Sequence, residues 1–501
     1  MILRRTQNYQ ITPCFDFMKV RYIEEPSLQF GHEQHICPKY GIYNYSPFDI
    51  NQVRPERITI GIIGKGESVD KILGWIESCK KHIDGKQSKN PHPNLFLNFC
   101  GFNKDVGFES DIVYDDTYIR KINNSEFDAI IKKRDNLEER INDIAELYLA
   151  EIKFLSKNKK PDVILCALSE NFITYIQEKE AEVSEDEEDE KEKSLEGADV
   201  DTEDVSEKEQ NFRRYLKAKA MQFNIPIQIV RDRIAKPTAD MQDEATIAWN
   251  FFTALYYKAS GTPWAMIRKD IAETTCYAGI SFFKSRDRST TQTSIAQIFN
   301  ELGKGVILRG EEITLKKNDR VPHLSEEQAF NLLTLSLKEY YDAVKIFPKR
   351  LVLHKTSNFS EDEVYGFTQA ARQLLINQID LVSIQHSDIR LYRQGNYPPM
   401  RGTQMSLTDK HHVLYTRGSV PYYETYPGKY IPSPIEVKLA YYDESPNLIC
   451  DEIIALTKMN WNNTQFDRKY PITIECARNV GEILKYLSPD DSMQLKYSFY
   501  M

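Results

Sequence analysis

The chain has 501 residues, with 65 Lys+Arg against 74 Asp+Glu and a formal net charge of −9. Taken whole, that balance argues against a nucleic-acid partner, which wants a basic surface. The deficit is local, however: residues 178–209 hold 17 acidic and 4 basic residues, leaving 61 basic and 57 acidic residues elsewhere, so the average excludes nothing about phosphate binding.

Other bounds are firmer. At 41% hydrophobic and 11% aromatic the chain can build sizeable cores, and its length suggests two or three domains. No apolar run approaches the ~20 residues that span a bilayer. The opening MILRRTQNYQITPCFDF lacks the apolar stretch of a secretory signal, so a cytoplasmic protein without a membrane partner is expected. The eight cysteines include no C-x-x-C pair, which predicts reduced, buried thiols and neither a disulfide frame nor a zinc site.

In chain order, residues 22–50 carry turn residues and aromatics without helical period, and 1–50 are expected to be short strands and loops packed on a later domain. RITIGIIG from 57 is a buried-strand run, and SVDKILGWIESCKKHI has helical spacing. Residues 126–157 continue as long amphipathic helix, and KPDVILCALS predicts another buried strand. This order indicates a parallel α/β domain over 51–235. The acidic block 178–209 has too few apolar residues to fold alone and predicts a disordered surface insertion within that domain. NFRRYLKAKAMQF and IPIQIVR resume as helix and strand, followed by a helix across 243–259. A second α/β domain over 236–501 is predicted from the strands CYAGISFF, KGVILRGE and RLVLHKT and from helices near 325–345, 361–377, 449–459 and 476–487.

Chemistry-bearing constellations are few. GIIGKGES (61–68) follows a strand and opens a helix, as phosphate loops do, but matches neither G-x-G-x-x-G nor a Walker A sequence and reads as a tight turn. Arg213 and Lys217 are four apart and share a helix face; Gln228 lies on the next strand and Lys258 ends the next helix. Such a group could hold a terminal phosphate, or it could be a solvated basic face. Residues 211–320 hold 18 basic and 11 acidic residues, which suits backbone contact with nucleic acid. YTRG, PYYETYPGKYIP and KMNWNN add aromatics and amides that could stack on a strand or pack as loops. No H-E-x-x-H, G-x-S-x-G or Ca²⁺-loop pattern appears; His411 and His412 are adjacent and face opposite sides, and His354 reads as structural.

Several long segments, in order, resemble the short prokaryotic Argonautes: EEPSLQFG, RRYLKAKAMQFNIPIQIV, AWNFFTALYYKASGTPW, LVLHKTSNFS, ALTKMNWNNTQFD and PITIECARNVGEIL. The resemblance spans most of the chain and implies an α/β fold with a Rossmann-like MID domain and an RNase H-like PIWI domain. It implies that Lys217, Gln228 and Lys258, with Arg213 one turn earlier, grip the 5′-phosphate of a guide strand. It further implies a structural Mg²⁺ in that pocket, held by Gln228 and the terminal carboxylate of Met501, at the end of a strand-like KYSFYM. Lys458 and Arg478 would face the guide backbone.

The same resemblance argues against slicing. Cutting members need carboxylates holding two metal ions about 4 Å apart. Ser281 and Thr356 stand where two of those acids belong, and Glu311 alone, as a glutamate finger, cannot assemble the site. The implied role is therefore guided sensing in prokaryotic immunity against viruses and plasmids. A guide RNA would pair with a single-stranded DNA target and activate a separate APAZ-containing effector, carrying a TIR or sirtuin-like NADase or a nuclease, with a higher oligomer forming on activation. A guide-directed nuclease and a nucleotide-binding α/β enzyme are the alternatives.

Overall fold

RITIGIIG does become the centre of a parallel sheet. Strand Arg57–Lys65 is flanked by Asp111–Val113 and Val163–Leu168, Ile227–Arg231 lies beyond the latter, and Ile119–Ile122 also pairs with the central strand, every pairing parallel. The computed structural model describes residues 18–87, 92–132, 136–183, 206–238, 241–267, 274–286, 291–299, 307–313, 322–395, 398–428, 431–465, 467–488 and 491–501. Val163–Leu168 is buried at every position, as expected of a strand covered on both faces. Helix Gly66–Cys79 covers one side, and helices Leu137–Asn158 and Glu207–Ala220 cover the other. The expected long helix over 126–157 is two helices, Asn124–Ile131 and Leu137–Asn158, each opened by an asparagine N-cap.

The second sheet has nine strands. Its centre is Gln378–His386, Arg350–Lys355 and Thr275–Lys284, mutually parallel, and the outer strands are antiparallel. Cys276, Ala278 and Ile280 alternate towards helices Glu326–Val344 and Glu361–Gln373, both started by full capping boxes. Helix Ile472–Leu484 packs on the opposite face so closely that a Cβ on Gly279 would lie 2.0 Å from the Thr473 carbonyl oxygen. Among the described residues, no helix is long and apolar enough to cross a membrane. The seven described cysteines are all free and buried.

Three expectations need correction. Residues before 50 are not only strands and loops: Lys19–Tyr22 is the edge strand of the large sheet, Leu28–Gln29 pairs with Ala265–Met266, and Pro38–Tyr45 is a helix. That helix is short, and its Gly41 is required because Phe30 packs where a Cβ would be, 2.1 Å from the ring. The acidic block also ends differently. Residues up to Val183 belong to helix Glu170–Val183, and Glu207 to Glu209 belong to the helix that Ser206 caps; 184–205 lie outside the described residues. Finally, helix Glu244–Lys258, expected to belong to the second domain, packs Phe251 and Phe252 against Trp75 and Trp249 against Phe99, so one core runs through both units.

The N-terminal stretch is anchored by charge. Glu25 accepts from Arg401 Nε at 2.9 Å and from Lys458 Nζ at 3.0 Å, and Lys458 also donates to the Pro26 carbonyl at 2.6 Å. Burial would raise the Glu25 pKa, but Arg401 and Lys458 outweigh it and hold the carboxyl below its ordinary range. A depressed carboxylate stabilises the fold above its unfolded pKa and loses that contribution as pH falls. Glu25→Ala should therefore cost about 3–5 kcal/mol near neutral pH, because two enclosed cations lose their counter-charge. Urea unfolding with an unchanged midpoint would contradict this anchor.

Candidate functional site

Helix Glu244–Lys258 delivers the most enclosed cation of the expected group. Asp243 caps its start, and Lys258 stands in the last turn, where a cation suits the helix dipole. Lys258 is 3% exposed, and its ammonium donates to three oxygens: the Ile227 carbonyl at 2.9 Å, Gln228 Oε1 at 2.5 Å and the Met501 backbone oxygen at 3.1 Å. An ammonium has three hydrogens, so each oxygen takes one. Burial, then the charges of Lys217 and Arg213, pushes the Lys258 pKa well below that of an ordinary lysine. The three oxygens oppose that pressure, since a neutral amine would leave one of them without a donor.

Helix Glu207–Ala220 supplies the rest. Phe212 and Leu216 turn into the core, which leaves Arg213 and Lys217 one turn apart beside the strand that carries Gln228. Arg213 is tied to Glu209 at 2.7 Å, and the same carboxylate binds Arg231. Glu209 is fully enclosed and has no counterpart among the expected site residues. Its sequence signal was present, since Ser206 followed three residues later by a glutamate marks a helix start rather than a solvated run. Lys217 has no hydrogen bond or ion pair among the described residues. Burial, then Arg213 and Arg214, lowers its pKa to about 7. Arg214 reaches Glu482 at 3.1 Å and Asn211 accepts from Tyr486, so this helix also faces the second unit.

Gln228, Lys258 and Met501 thus meet from three separate stretches of chain, and Lys217 is near enough for its charge to act on Lys258. Met501 follows the 3₁₀ turn Tyr497–Phe499 and not the expected strand, because Tyr497 and Tyr500 turn into the core. Both oxygens assigned to the expected Mg²⁺, on Gln228 and Met501, accept from the Lys258 ammonium.

Elsewhere the outcome is mixed. Lys458 is a correction: it is fully buried against Glu25 and Pro26, its pKa lowered to about 8 by burial, and it does not face an external backbone. Arg478 is half-buried, with its guanidinium 4.3 Å from the Tyr470 ring centroid. Ser281 lies in strand Thr275–Lys284 opposite Ser294, and Thr356 follows strand Arg350–Lys355. The neighbouring Lys355 turns inward, binding both oxygens of Glu363 at 2.6 and 2.7 Å. Glu311 is on strand Ile307–Ile313, but its side chain lies outside the described residues. His354 is enclosed against Thr473 Oγ1, and burial brings its pKa down to about 3, so it is neutral and structural. His411 contacts Glu436 while His412 contacts Ser406.

The GIIGKGES turn borders a cavity of 370 Å³ at the other end of the first sheet. Its groups are committed internally: Lys65 to Asp128 at 3.2 Å, Ser68 to Asp232 at 2.8 Å and Lys71 to Glu67 at 2.7 Å.

The lowered Lys217 pKa has a sign that can be checked. An unfolded lysine titrates near 10.4, so between about 7 and that value the unfolded chain binds more protons and stability rises with pH. Lys217→Met should reduce the rise in urea-unfolding stability between pH 7 and pH 9. The full wild-type slope persisting in the variant would contradict this environment for Lys217.

No protein-family profile and no curated protein matches the sequence. Solved structures do match. Clostridium butyricum Argonaute, bound to a guide DNA and a 19-mer target DNA, aligns with a TM-score of 0.63 at 15% identity, over 94% of this chain and 54% of that one. Marinitoga piezophila Argonaute, in complex with a 5′-OH guide RNA, aligns at 0.56 and 12% identity over 99% and 61%. Drosophila Piwi aligns at 0.56 and 12% identity over 96% and 56%. The chain spans little more than half the length of these proteins. At such identities the likeness is one of fold, and the fold is Argonaute-like: a parallel α/β unit joined to a larger mixed-sheet unit, as in the MID and PIWI halves of those structures.

Proposed function

We propose that this chain binds a guide strand by its 5′-phosphate. The observation that carries the reading is the Lys258–Gln228–Met501 junction in an Argonaute-like fold, with the charge of Lys217 close enough to act on Lys258. A phosphomonoester there would receive hydrogen bonds from the Lys217 ammonium and, by exchange with Met501 or Gln228, from Lys258. Arg213 would stay mostly with Glu209 and steady the helix.

The rest of the proposal follows the sequence resemblance. Guide RNA pairs with a single-stranded DNA target, and base pairing supplies the specificity while the protein holds backbone. With Ser281 and Thr356 at two positions that need carboxylates, the chain does not cut. The duplex instead activates a separate APAZ-containing effector, a NAD-consuming TIR or sirtuin-like protein or a nuclease, in cytoplasmic defence. Arg478, stacked on Tyr470, is a further backbone contact in this reading.

Two outcomes test the proposal. Lys217→Ala combined with Lys258→Met should weaken a 5′-phosphorylated RNA about ten- to hundredfold, as expected for lost hydrogen bonds to a charged group, and leave its 5′-hydroxyl twin nearly unchanged. Equal losses on both would reject the pocket. The purified chain with guide, complementary DNA and Mg²⁺ or Mn²⁺ should leave the target intact on a denaturing gel, and a discrete guide-directed cut would overturn the non-cutting assignment.

A further inference from the structure

The GIIGKGES turn and the 370 Å³ cavity beside it take no part in guide binding as proposed above. They lie where the first sheet reverses its order. From strand Arg57–Lys65 the chain crosses one face through helix Gly66–Cys79 and adds Asp111–Val113 and Ile119–Ile122 on one side. It then crosses the opposite face and adds Val163–Leu168 and Ile227–Arg231 on the other side. Helices Gly66–Cys79 and Glu170–Val183 therefore leave two neighbouring strands on opposite faces, and a crevice opens between their starts. In open parallel sheets ligands bind in such crevices, beyond the carboxyl ends of the strands. The volume falls at the small end of the range of about 300–1,000 Å³ usual for small-molecule sites.

One buried carboxylate fixes the two helix starts. Asp232 is 6% exposed; its Oδ2 accepts from Ser68 Oγ at 2.8 Å, and its Oδ1 accepts from the Glu170 backbone N–H at 3.1 Å. Around it, hydrogen-bonding capacity is left unfilled. Glu170 Oε1 is enclosed and accepts no hydrogen bond, with Arg233 Nε 3.8 Å away. The side chains of Asn124, Asn171 and Lys236 line the same cavity and make no hydrogen bond or ion pair among the described residues. Helix Gly66–Cys79 has no side-chain cap at its start, and a Cβ on Gly66 would meet only Lys121 Cδ, at 3.5 Å, so the backbone there can be approached closely. Lys65 and Lys71 also line the cavity. Their partners Asp128 and Glu67 are each more than half exposed, and such pairs open at little cost.

A ligand that completes this set brings a donor for Glu170 and negative charge for the lysines. A purely anionic ligand leaves Glu170 unmatched, and an uncharged sugar leaves the lysines unused. We propose that the crevice binds a ribose phosphate, free or within a mononucleotide, with a sugar hydroxyl donating to Glu170 and the phosphate held by Lys236, Lys65 and the start of helix Gly66–Cys79. This site is separate from the guide-end pocket: Gln228 lies near the start of strand Ile227–Arg231, and Asp232 follows its end.

Calorimetry on the full chain, with saturating 5′-phosphorylated RNA present to fill the guide-end pocket, compares AMP, ribose 5-phosphate, adenosine and inorganic phosphate. AMP and ribose 5-phosphate should bind, and adenosine and inorganic phosphate should bind at least about tenfold more weakly. Tighter binding of AMP would assign the mononucleotide, and equal binding of the two would assign the sugar phosphate. Glu170→Ala should weaken AMP by about tenfold. Lys236→Ala, at an exposed side chain with no partner to lose, should do the same. Inorganic phosphate binding as tightly as AMP would overturn the sugar contact. Wild-type AMP affinity in both variants, or no binding of either ribose phosphate, would overturn the inference. An RNA that fails to bind, while AMP still responds to Glu170→Ala, would count against the guide-end reading alone.

Discussion

Three oxygens around one ammonium organise the candidate site of this molecule. The Lys258 hydrogens go to Ile227, Gln228 and Met501, so a helix, a strand edge and the residues after Tyr497–Phe499 share a single cation. None of the three could be buried at that place alone, because each brings a polar atom that needs a partner. The pocket is therefore a meeting of two units and not a property of either. The continuous core beneath it, from Trp75 through Phe252, keeps the meeting in register.

Around that centre the charges divide into two kinds. Some are internal fastenings: Glu25 with Arg401 and Lys458, Arg350 with Asp380 and Glu452, Lys355 with Glu363. Each buried cation in these groups has its acid, as burial requires. Lys217 differs in having only cations and neutral groups beside it. Spare positive charge in a partly enclosed site is what a ligand phosphate would complete. The net charge of −9 hides this, because most of the excess acid lies in one run of 32 residues, 178–209, whose final member Glu209 is itself part of the site.

Much of the architecture was legible because it depends on long, uniform patterns. RITIGIIG and KPDVILCALS are buried on both faces and read as strands without ambiguity, and AWNFFTALYYK is helical over its whole length. The strand Ile435–Tyr441 also carries a clean alternation, Val437 and Leu439 inward against Glu436 and Lys438. Thr403–Thr408 has no such signal, since Gln404 and Met405 are both buried. At the site, helical spacing alone placed Arg213 and Lys217 on one face. What spacing could not supply was which cations already have acids. Lys458 and Lys217 look alike as residues, yet Glu25, the partner that removes Lys458 from any ligand, is 433 positions away. Glu209 was concealed by the acidic run it terminates.

The central claim is that Lys217 and Lys258 together hold a terminal phosphate. It is tested most directly by a crystal structure of the full chain with a 5′-phosphorylated RNA. The account predicts the terminal phosphate oxygens within hydrogen-bond distance of both Nζ atoms, with Arg213 still on Glu209. A well-ordered strand whose 5′ end lies elsewhere, with Lys258 still bound to Ile227, Gln228 and Met501, would contradict it.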